Sequence, residues 1–127
     1  MADTLLVFLG AGLGGALRHG VNAGCARLFG SGAPWGTLAV NVSGSLAMGL
    51  LVGWLALRAE AGWAAPARLF AATGVLGGYT TFSAYSLDAV ALWERGEAVT
   101  ALVYAASSVA LSIAALAGGL AAARALG

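Results

Sequence analysis

Four long segments of this sequence contain no charged residue or almost none. The second covers residues 36–57, the third 69–87 and the fourth 98–123, which are 22, 19 and 26 residues long. The first is free of charge over residues 4–17, is interrupted by Arg18, and continues toward Leu28. A helix needs about 20 apolar residues to cross the ~30 Å hydrocarbon core of a bilayer. The pattern therefore predicts four transmembrane helices.

We expect the spans at about residues 4–28, 36–57, 68–93 and 98–123, in one membrane channel domain of residues 1–127. Only 9% of the residues are charged, against about one-quarter in an average soluble domain. Such a composition excludes a soluble enzyme, a disordered chain and an electrostatic nucleic-acid binder. The predicted fold class is an all-α integral membrane protein. We expect it to be surrounded by the lipid bilayer and to cross the plasma (inner) membrane several times.

The positive charges give almost no orientation signal. All six basic residues are arginines, and four spans distribute them three against two, or three against three if Arg18 is counted. One side holds Arg58, Arg68 and Arg124, and the other holds Arg27 and Arg95. The positive-inside rule needs an excess to fix orientation. Either an insertion factor or one dominant loop decides, or the chain inserts both ways and forms an antiparallel dimer.

Glycine pairs at four-residue spacing predict close helix packing, since small residues let helix backbones approach. Four such pairs lie within the predicted spans: Gly10/Gly14, Gly20/Gly24, Gly49/Gly53 and Gly74/Gly78. Four thin helices that pack this tightly cannot also enclose a wide pathway. We therefore expect an oligomer.

The third span is predicted to break at residues 77–81. Two glycines followed by two β-branched threonines weaken a helix at this point. A break frees backbone carbonyls, which need a partner inside a membrane and are good ligands for a hard cation. A kink repaired by serine and threonine hydroxyls is the alternative interpretation, and these residues do not decide between the two.

Two stripes of uncharged polar side chains run along the second and fourth spans at helical spacing. Thr37, Asn41 and Ser45 form one, and Tyr104, Ser108 and Ser112 form the other. Hydroxyl and amide groups can donate to an anion without carrying charge. Interhelical hydrogen bonds, worth about 0.6 kcal/mol each, are the alternative role for such residues. Two stripes on neighbouring spans favour a polar track.

Charged groups are nearly absent from the interior of the spans. Asp88 lies toward the end of the third span, and Arg18 is the one strong intramembrane charge, suited to a vestibule or to a snorkelling position. The single histidine, His19, has no carboxylate near it in sequence, so no catalytic set is recognised. We expect no enzyme activity and no organic cofactor.

Three motifs resemble the CrcB/Fluc family of fluoride channels. They are Gly-Gly-Ala-Leu-Arg-His at 14–19, Gly-Thr-Leu-Ala-Val-Asn-Val-Ser-Gly at 36–44, and Gly-Gly-Tyr-Thr-Thr-Phe-Ser at 77–83. The resemblance covers essentially the whole chain, with matching span number and motif order. It implies an antiparallel dual-topology homodimer, in which a second, inverted copy is the partner and two pathways conduct fluoride.

The resemblance also implies roles for individual residues. A structural sodium ion would be held by the backbone carbonyls of Gly77 and Thr80 from both subunits, and Arg18 would stand in the vestibule. The family's pore phenylalanine pair maps to Phe82 and to position 85, where this chain has Tyr85 instead. The implied fluoride pathway comprises Asn41, Phe82, Tyr85, Tyr104, Ser108, Ser112, Thr37 and Ser83.

The function implied by the resemblance is a fluoride-selective passive channel that exports fluoride from the cytoplasm and relieves its toxicity. The alternative is a small multidrug-resistance-type, proton-coupled exporter, which would carry a membrane-embedded glutamate in its first span. This chain has none there. A third interpretation is a non-transporting membrane scaffold whose hydroxyls only join helices.

Overall fold

The structure, a computed structural model, describes all of residues 1–127, and helices are its only regular secondary structure. Three helices are continuous: α1 (Ala2–Phe29), α2 (Trp35–Ala56) and α6 (Ala98–Leu126). Between α2 and α6 the third crossing is built from four consecutive segments. These are α3 (Ala64–Arg68), a π-helical segment (Leu69–Leu76), α4 (Gly77–Tyr79) and α5 (Phe82–Glu94). The prediction of an all-α protein with four helical crossings and an interrupted third one is confirmed.

The surface of the bundle is apolar, as a lipid-facing surface must be. The helices α1, α2 and α6 are each long and apolar enough to cross a membrane. Only 19 of the 127 residues are buried inside the chain, while large hydrophobic side chains such as Phe8 and Leu102 are exposed. Water-soluble monomers rarely expose so many large hydrophobic side chains together. The chain is therefore a multi-pass membrane protein.

Glycines bring the helix backbones into direct contact at two interfaces. A Cβ atom built on Gly14 of α1 would meet the carbonyl oxygen of Val75 and come within 2.8 Å of the Tyr79 nitrogen. One built on Gly49 of α2 would lie 2.9 Å from the backbone nitrogen of Leu120 in α6. No larger side chain fits at these points. The close packing predicted from glycine spacing thus occurs along α1 and along α2.

One predicted glycine pair does not take part in this packing. A Cβ atom on Gly20 or Gly24 would meet nothing within 4 Å. The expectation of close packing at this pair is wrong within a single chain. The third crossing packs against the earlier part of α1, where Gly10 and Gly14 lie, and leaves the later part open.

The break in the third crossing is shorter than predicted. Only Thr80 (φ −82°, ψ 157°) and Thr81 (φ −153°, ψ 121°) have extended backbones. Gly77 and Gly78, which were expected to belong to the break, are helical. A Cβ atom on Gly78 would lie 2.9 Å from the Cα atom of Ala11. This glycine therefore serves packing against α1, and the two threonines alone leave the helix.

Candidate functional site

The helix break is held open by the side-chain amide of Asn41 on α2. Its Oδ1 accepts a hydrogen bond from the Thr81 backbone N–H at 2.7 Å, and its Nδ2 donates to the Thr81 carbonyl at 2.9 Å. Both backbone groups of an extended residue are thereby satisfied away from water, where an unpaired group is costly. One amide thus replaces the helical partners that Thr81 has given up.

Thr81 also begins α5 as its N-cap. Its Oγ1 accepts from the backbone N–H of Ala84 at 3.2 Å and lies 3.3 Å from the Ser83 hydroxyl. A threonine cap satisfies one of the donors that the first turn of a helix leaves open. Asn41 and the Thr81 side chain together fix the direction in which α5 leaves the break.

These bonds leave two backbone carbonyls without their helical partners. In a continuous helix the Gly77 carbonyl would accept from Thr81 N–H, and the Thr80 carbonyl from Ala84 N–H. The first N–H is bound to Asn41 and the second to the Thr81 hydroxyl. Free carbonyl oxygens of this kind are ligands for hard cations. The break therefore presents backbone carbonyls, those of Gly77 and Thr80 among them, as candidate cation ligands in each chain.

A groove of about 230 Å³ opens beside the break. It combines residues of α2, the break, α5 and α6, so that four separate parts of the sequence meet in it. Hydroxyl groups are the commonest polar groups in its lining, which also contains one side-chain amide and two aromatic rings. The lining residues are Asn41, Ser45, Thr80, Thr81, Phe82, Tyr85, Ser108, Val109 and Ser112.

The hydroxyl of Ser108 is the one buried side-chain polar atom without a partner. Ser108 is 4% exposed, and its Oγ makes no hydrogen bond although it lines the groove. Leaving a buried hydroxyl unpaired costs about 1–3 kcal/mol. Because this unpartnered hydroxyl lies at the wall of the groove, it is suited to donating a hydrogen bond to a bound ligand.

Aromatic rings form the second wall of the groove. The Tyr85 ring lies between those of Phe82 and Tyr104, at centroid distances of 5.3 and 5.5 Å. The Tyr85 hydroxyl donates to the Ala105 carbonyl of α6 at 2.9 Å, so it is not free to bind a ligand. Phe82, by contrast, is 77% exposed. The Tyr85 ring is therefore held in place by its hydroxyl, whereas the Phe82 ring projects from the surface of the chain.

The sequence matches a known family over most of its length. Residues 5–120 match the family model described as CrcB-like protein, Camphor Resistance (CrcB). The chain belongs to the CrcB family. Proteins named "Fluoride-specific ion channel FluC 2" from Nitrobacter hamburgensis and "Fluoride-specific ion channel FluC" from Methylobacterium nodulans are 58% and 55% identical to it. The alignments cover 92% and 100% of this chain and 93% and 100% of those proteins.

Five of the predicted pathway residues of this CrcB protein meet in the groove: Asn41, Phe82, Tyr85, Ser108 and Ser112. Ser45, from the same stripe as Asn41, lines it as well. Ser83 lies next to it on α5, with its hydroxyl bonded to that of Thr81. The groove therefore follows one end of each predicted stripe.

Two predicted pathway residues lie nearer the other end of the stripes. Thr37 lines a separate cavity with Asp88, and Tyr104 lines another between α2 and α6. The Tyr104 hydroxyl donates to Asp88 Oδ2 at 3.2 Å. Sequence reasoning gave Asp88 no role, because its partner lies 16 residues away on another helix. The spacing of polar residues within one helix carries no signal for such a pair.

Of the remaining predicted residues, Arg18 and Gly77 lie outside the groove in this CrcB protein, whereas Thr80 lines it. Arg18 lies on α1, partly buried, and lines none of the cavities described here. Gly77 belongs to α4, immediately before the break, and the side chain of Thr80 lines the groove. The Thr80 hydroxyl donates back to the Leu76 carbonyl at 2.9 Å. The hydroxyl hydrogen of Thr80 is thus used within the helix, while the Thr80 carbonyl has lost its helical N–H partner.

Proposed function

We propose that this CrcB protein is a fluoride-selective passive channel that exports fluoride and thereby relieves its toxicity. The observation that carries the proposal is its 55% identity, over the full length of both chains, to a protein named a fluoride-specific ion channel. A groove of neutral hydrogen-bond donors at the break of a transmembrane helix supports the same function. The inside-negative membrane potential drives an anion outward, so passive conduction is enough for export.

The chemistry of the groove fits a small, strongly hydrated anion. Fluoride holds its water tightly, and a selective pore must replace that water with closely spaced donors. Ser108 supplies an unpartnered hydroxyl, Ser112 a second hydroxyl on the same face of α6, and the rings of Phe82 and Tyr85 offer partly positive edges. None of these groups carries a fixed positive charge that would trap the ion.

We propose that two inverted copies form the channel. Phe82, which lines the groove, is 77% exposed on the surface of the chain, so the groove forms only one wall of a pathway. A second copy packed on this surface would close it. The near balance of arginines on the two sides supports insertion in both orientations, since neither is favoured by charge.

We further propose a structural sodium ion, held by the Gly77 and Thr80 carbonyls of both copies. The donor set fits, because both carbonyls have lost their helical N–H partners at the break. When bound, a hard cation would supply positive charge to carbonyl oxygens that otherwise lack a partner in the membrane. In this proposal Asn41 and Thr81 position those carbonyls by holding the two N–H groups away from them.

The proton-coupled exporter is tested against the channel by removing the proton gradient. The protein is reconstituted in liposomes loaded with potassium fluoride. Valinomycin is added to carry the balancing potassium out, and the fluoride that appears outside is measured with a fluoride-selective electrode. The channel releases fluoride equally with and without a protonophore and with equal pH on both sides. Release that requires an opposing proton gradient contradicts passive conduction.

A further inference from the structure

A second groove, separate from the one at the helix break, lies where α2 leaves the membrane. It measures about 230 Å³ and lies between the end of α2 and the start of the third crossing. Its wall is apolar, and Arg68 is the one charged side chain that lines it. The apolar lining residues are Val52, Leu55, Ala56, Ala59, Ala64 and Ala65.

Tryptophans place this groove at the boundary of the hydrocarbon core. Trp35 and Trp54 lie 19 residues apart on α2, which corresponds to about 28 Å along a helix axis. That distance is close to the ~30 Å thickness of the hydrocarbon core, and tryptophan is enriched at both membrane interfaces. The groove is formed by residues on either side of Trp54 and therefore straddles one interface.

Arg58 is fixed at the same interface. Its guanidinium carbon lies 4.2 Å from the centre of the Trp54 ring, and its Nη1 donates to the Trp54 carbonyl at 3.2 Å. The Trp54 ring in turn packs against Trp63 at 5.5 Å between centroids. Stacking on an aromatic face and one backbone bond leave further guanidinium N–H groups free to donate.

The positive charge beside this groove has no partner within the chain. Arg68 makes neither a hydrogen bond nor an ion pair, and the one salt bridge of the protein joins Arg95 to Glu97 in another loop. Glu60 is the one carboxylate in the connection between α2 and α3, and it is not paired with either arginine. Residues 57–68 contain two arginines and one glutamate, so this segment has a net charge of +1.

We propose that this groove binds an anionic phospholipid of the surrounding bilayer. One acyl chain enters the apolar groove of about 230 Å³. The phosphate lies at Arg68, with Arg58 adding positive charge at the same interface. A free phosphate ion makes no use of the apolar wall, so a lipid is the ligand that matches both parts of the site. The proposal does not depend on which ion the protein conducts.

The test counts lipids that stay bound to the purified, full-length protein in native mass spectrometry. The protein is extracted from equimolar phosphatidylglycerol and phosphatidylcholine. We expect the wild type to retain phosphatidylglycerol in preference. Arg68→Gln should lower that preference about fivefold, the equivalent of about 1 kcal/mol for one basic side chain near an anionic surface. Arg124→Gln is the matched control, because it removes the same charge from an exposed residue that does not line the groove.

A second variant tests the apolar wall with all charges intact. Ala65→Phe fills the groove and should also remove the preference, with correct folding checked by size-exclusion chromatography.

Equal retention of both lipids by the wild type overturns the proposal, as does an equal loss in Arg68→Gln and Arg124→Gln. Displacement of the lipid by soluble glycerol phosphate would overturn it too, because the groove would then bind a headgroup alone. If Ala65→Phe dissociates an assembly instead, the groove is covered by a second copy and the proposal is wrong.

Discussion

Ser108 combines a cost to folding with a position at the groove. Its buried hydroxyl has no hydrogen-bond partner, and removing an unpaired buried polar group relieves a cost of about 1–3 kcal/mol. If that hydroxyl donates to the conducted anion, Ser108→Ala should change stability and conduction in opposite directions.

We therefore predict that Ser108→Ala leaves the free energy of unfolding unchanged or raises it by about 1 kcal/mol, while fluoride efflux falls at least about fivefold. The matched control is Ser107→Ala, since the Ser107 hydroxyl donates to the Tyr104 carbonyl and does not line the groove. Thermal unfolding and proteoliposome efflux are measured on both variants. Normal efflux in Ser108→Ala would exclude this hydroxyl from the pathway.

Tyr85 presents the opposite situation, because its hydroxyl is already bound. It donates to the Ala105 carbonyl at 2.9 Å, so the groove is lined by the ring and not by a free hydroxyl. We predict that Tyr85→Phe keeps fluoride efflux within about twofold and lowers the free energy of unfolding by about 1 kcal/mol, the contribution of one hydrogen bond. Loss of efflux with unchanged stability would mean that the hydroxyl itself contacts the ion.

At the scale of elements, Asn41 joins α2 to the break in the third crossing. An aspartate in its place could still accept from the Thr81 N–H, but its carboxylate would face the Thr81 carbonyl that Nδ2 now binds. It would also add negative charge to a groove proposed to conduct an anion. We predict that Asn41→Asp lowers fluoride efflux more than tenfold and destabilises the fold by about 1–3 kcal/mol.

The control for Asn41→Asp lies on the same helix. Ser43→Ala removes an exposed hydroxyl that donates to the Ala39 carbonyl and lies 3.0 Å from the Tyr79 hydroxyl. It does not line the groove and does not bind Thr81, so efflux should be preserved. Efflux is measured in liposomes and stability by thermal unfolding in detergent. Wild-type efflux in Asn41→Asp would show that the amide is not needed to hold the break or to conduct.

The contact between α1 and the third crossing depends on glycine at position 14. A valine there would place side-chain atoms against the Val75 carbonyl and the Tyr79 nitrogen. We predict that Gly14→Val destabilises the protein by about 2 kcal/mol or more and lowers the yield of monodisperse protein in size-exclusion chromatography. Gly20→Ala is the control, because a Cβ atom there meets nothing within 4 Å. Equal yields of the two variants would contradict the packing described here.

The elements differ in how far the sequence predicts them. Helices α1, α2 and α6 were predictable because long uncharged segments leave a membrane-embedded chain no alternative to helix. The position of the break was predictable only to within a few residues, because glycines and threonines both weaken a helix. In the structure Gly78 packs against α1 and is helical, whereas Thr80 is not. The π-helical segment and the bond from Asn41 to Thr81, 40 residues away, depend on tertiary contacts, for which one chain's local pattern carries no signal.

At the scale of the whole molecule, Phe82 and the groove are exposed on the surface of the chain, and we propose that a second inverted copy covers them to complete the pathway. Inverted copies place the loop between α1 and α2 on both sides of the membrane. Cys25 is the single cysteine, so a Cys25→Ser background allows one reporter cysteine, Ser31→Cys, in that exposed loop.

We predict that a membrane-impermeant maleimide labels about half of the Ser31→Cys protein in intact cells or spheroplasts, and the rest only after permeabilisation. The expected half follows from equal insertion in two orientations. A reporter at Gly62, in the exposed connection on the opposite side, should give the same half-labelling. Complete labelling of one reporter with none of the other would establish a single orientation and contradict the inverted dimer.

The central claim is that this chain conducts fluoride selectively through a groove of uncharged donors. It is tested most directly by comparing fluoride and chloride efflux from proteoliposomes containing the purified wild-type protein, with valinomycin carrying the balancing potassium. We expect rapid fluoride release and chloride retention no different from protein-free liposomes. Chloride release at a rate comparable to fluoride, or no fluoride release from liposomes that contain folded protein, would contradict it.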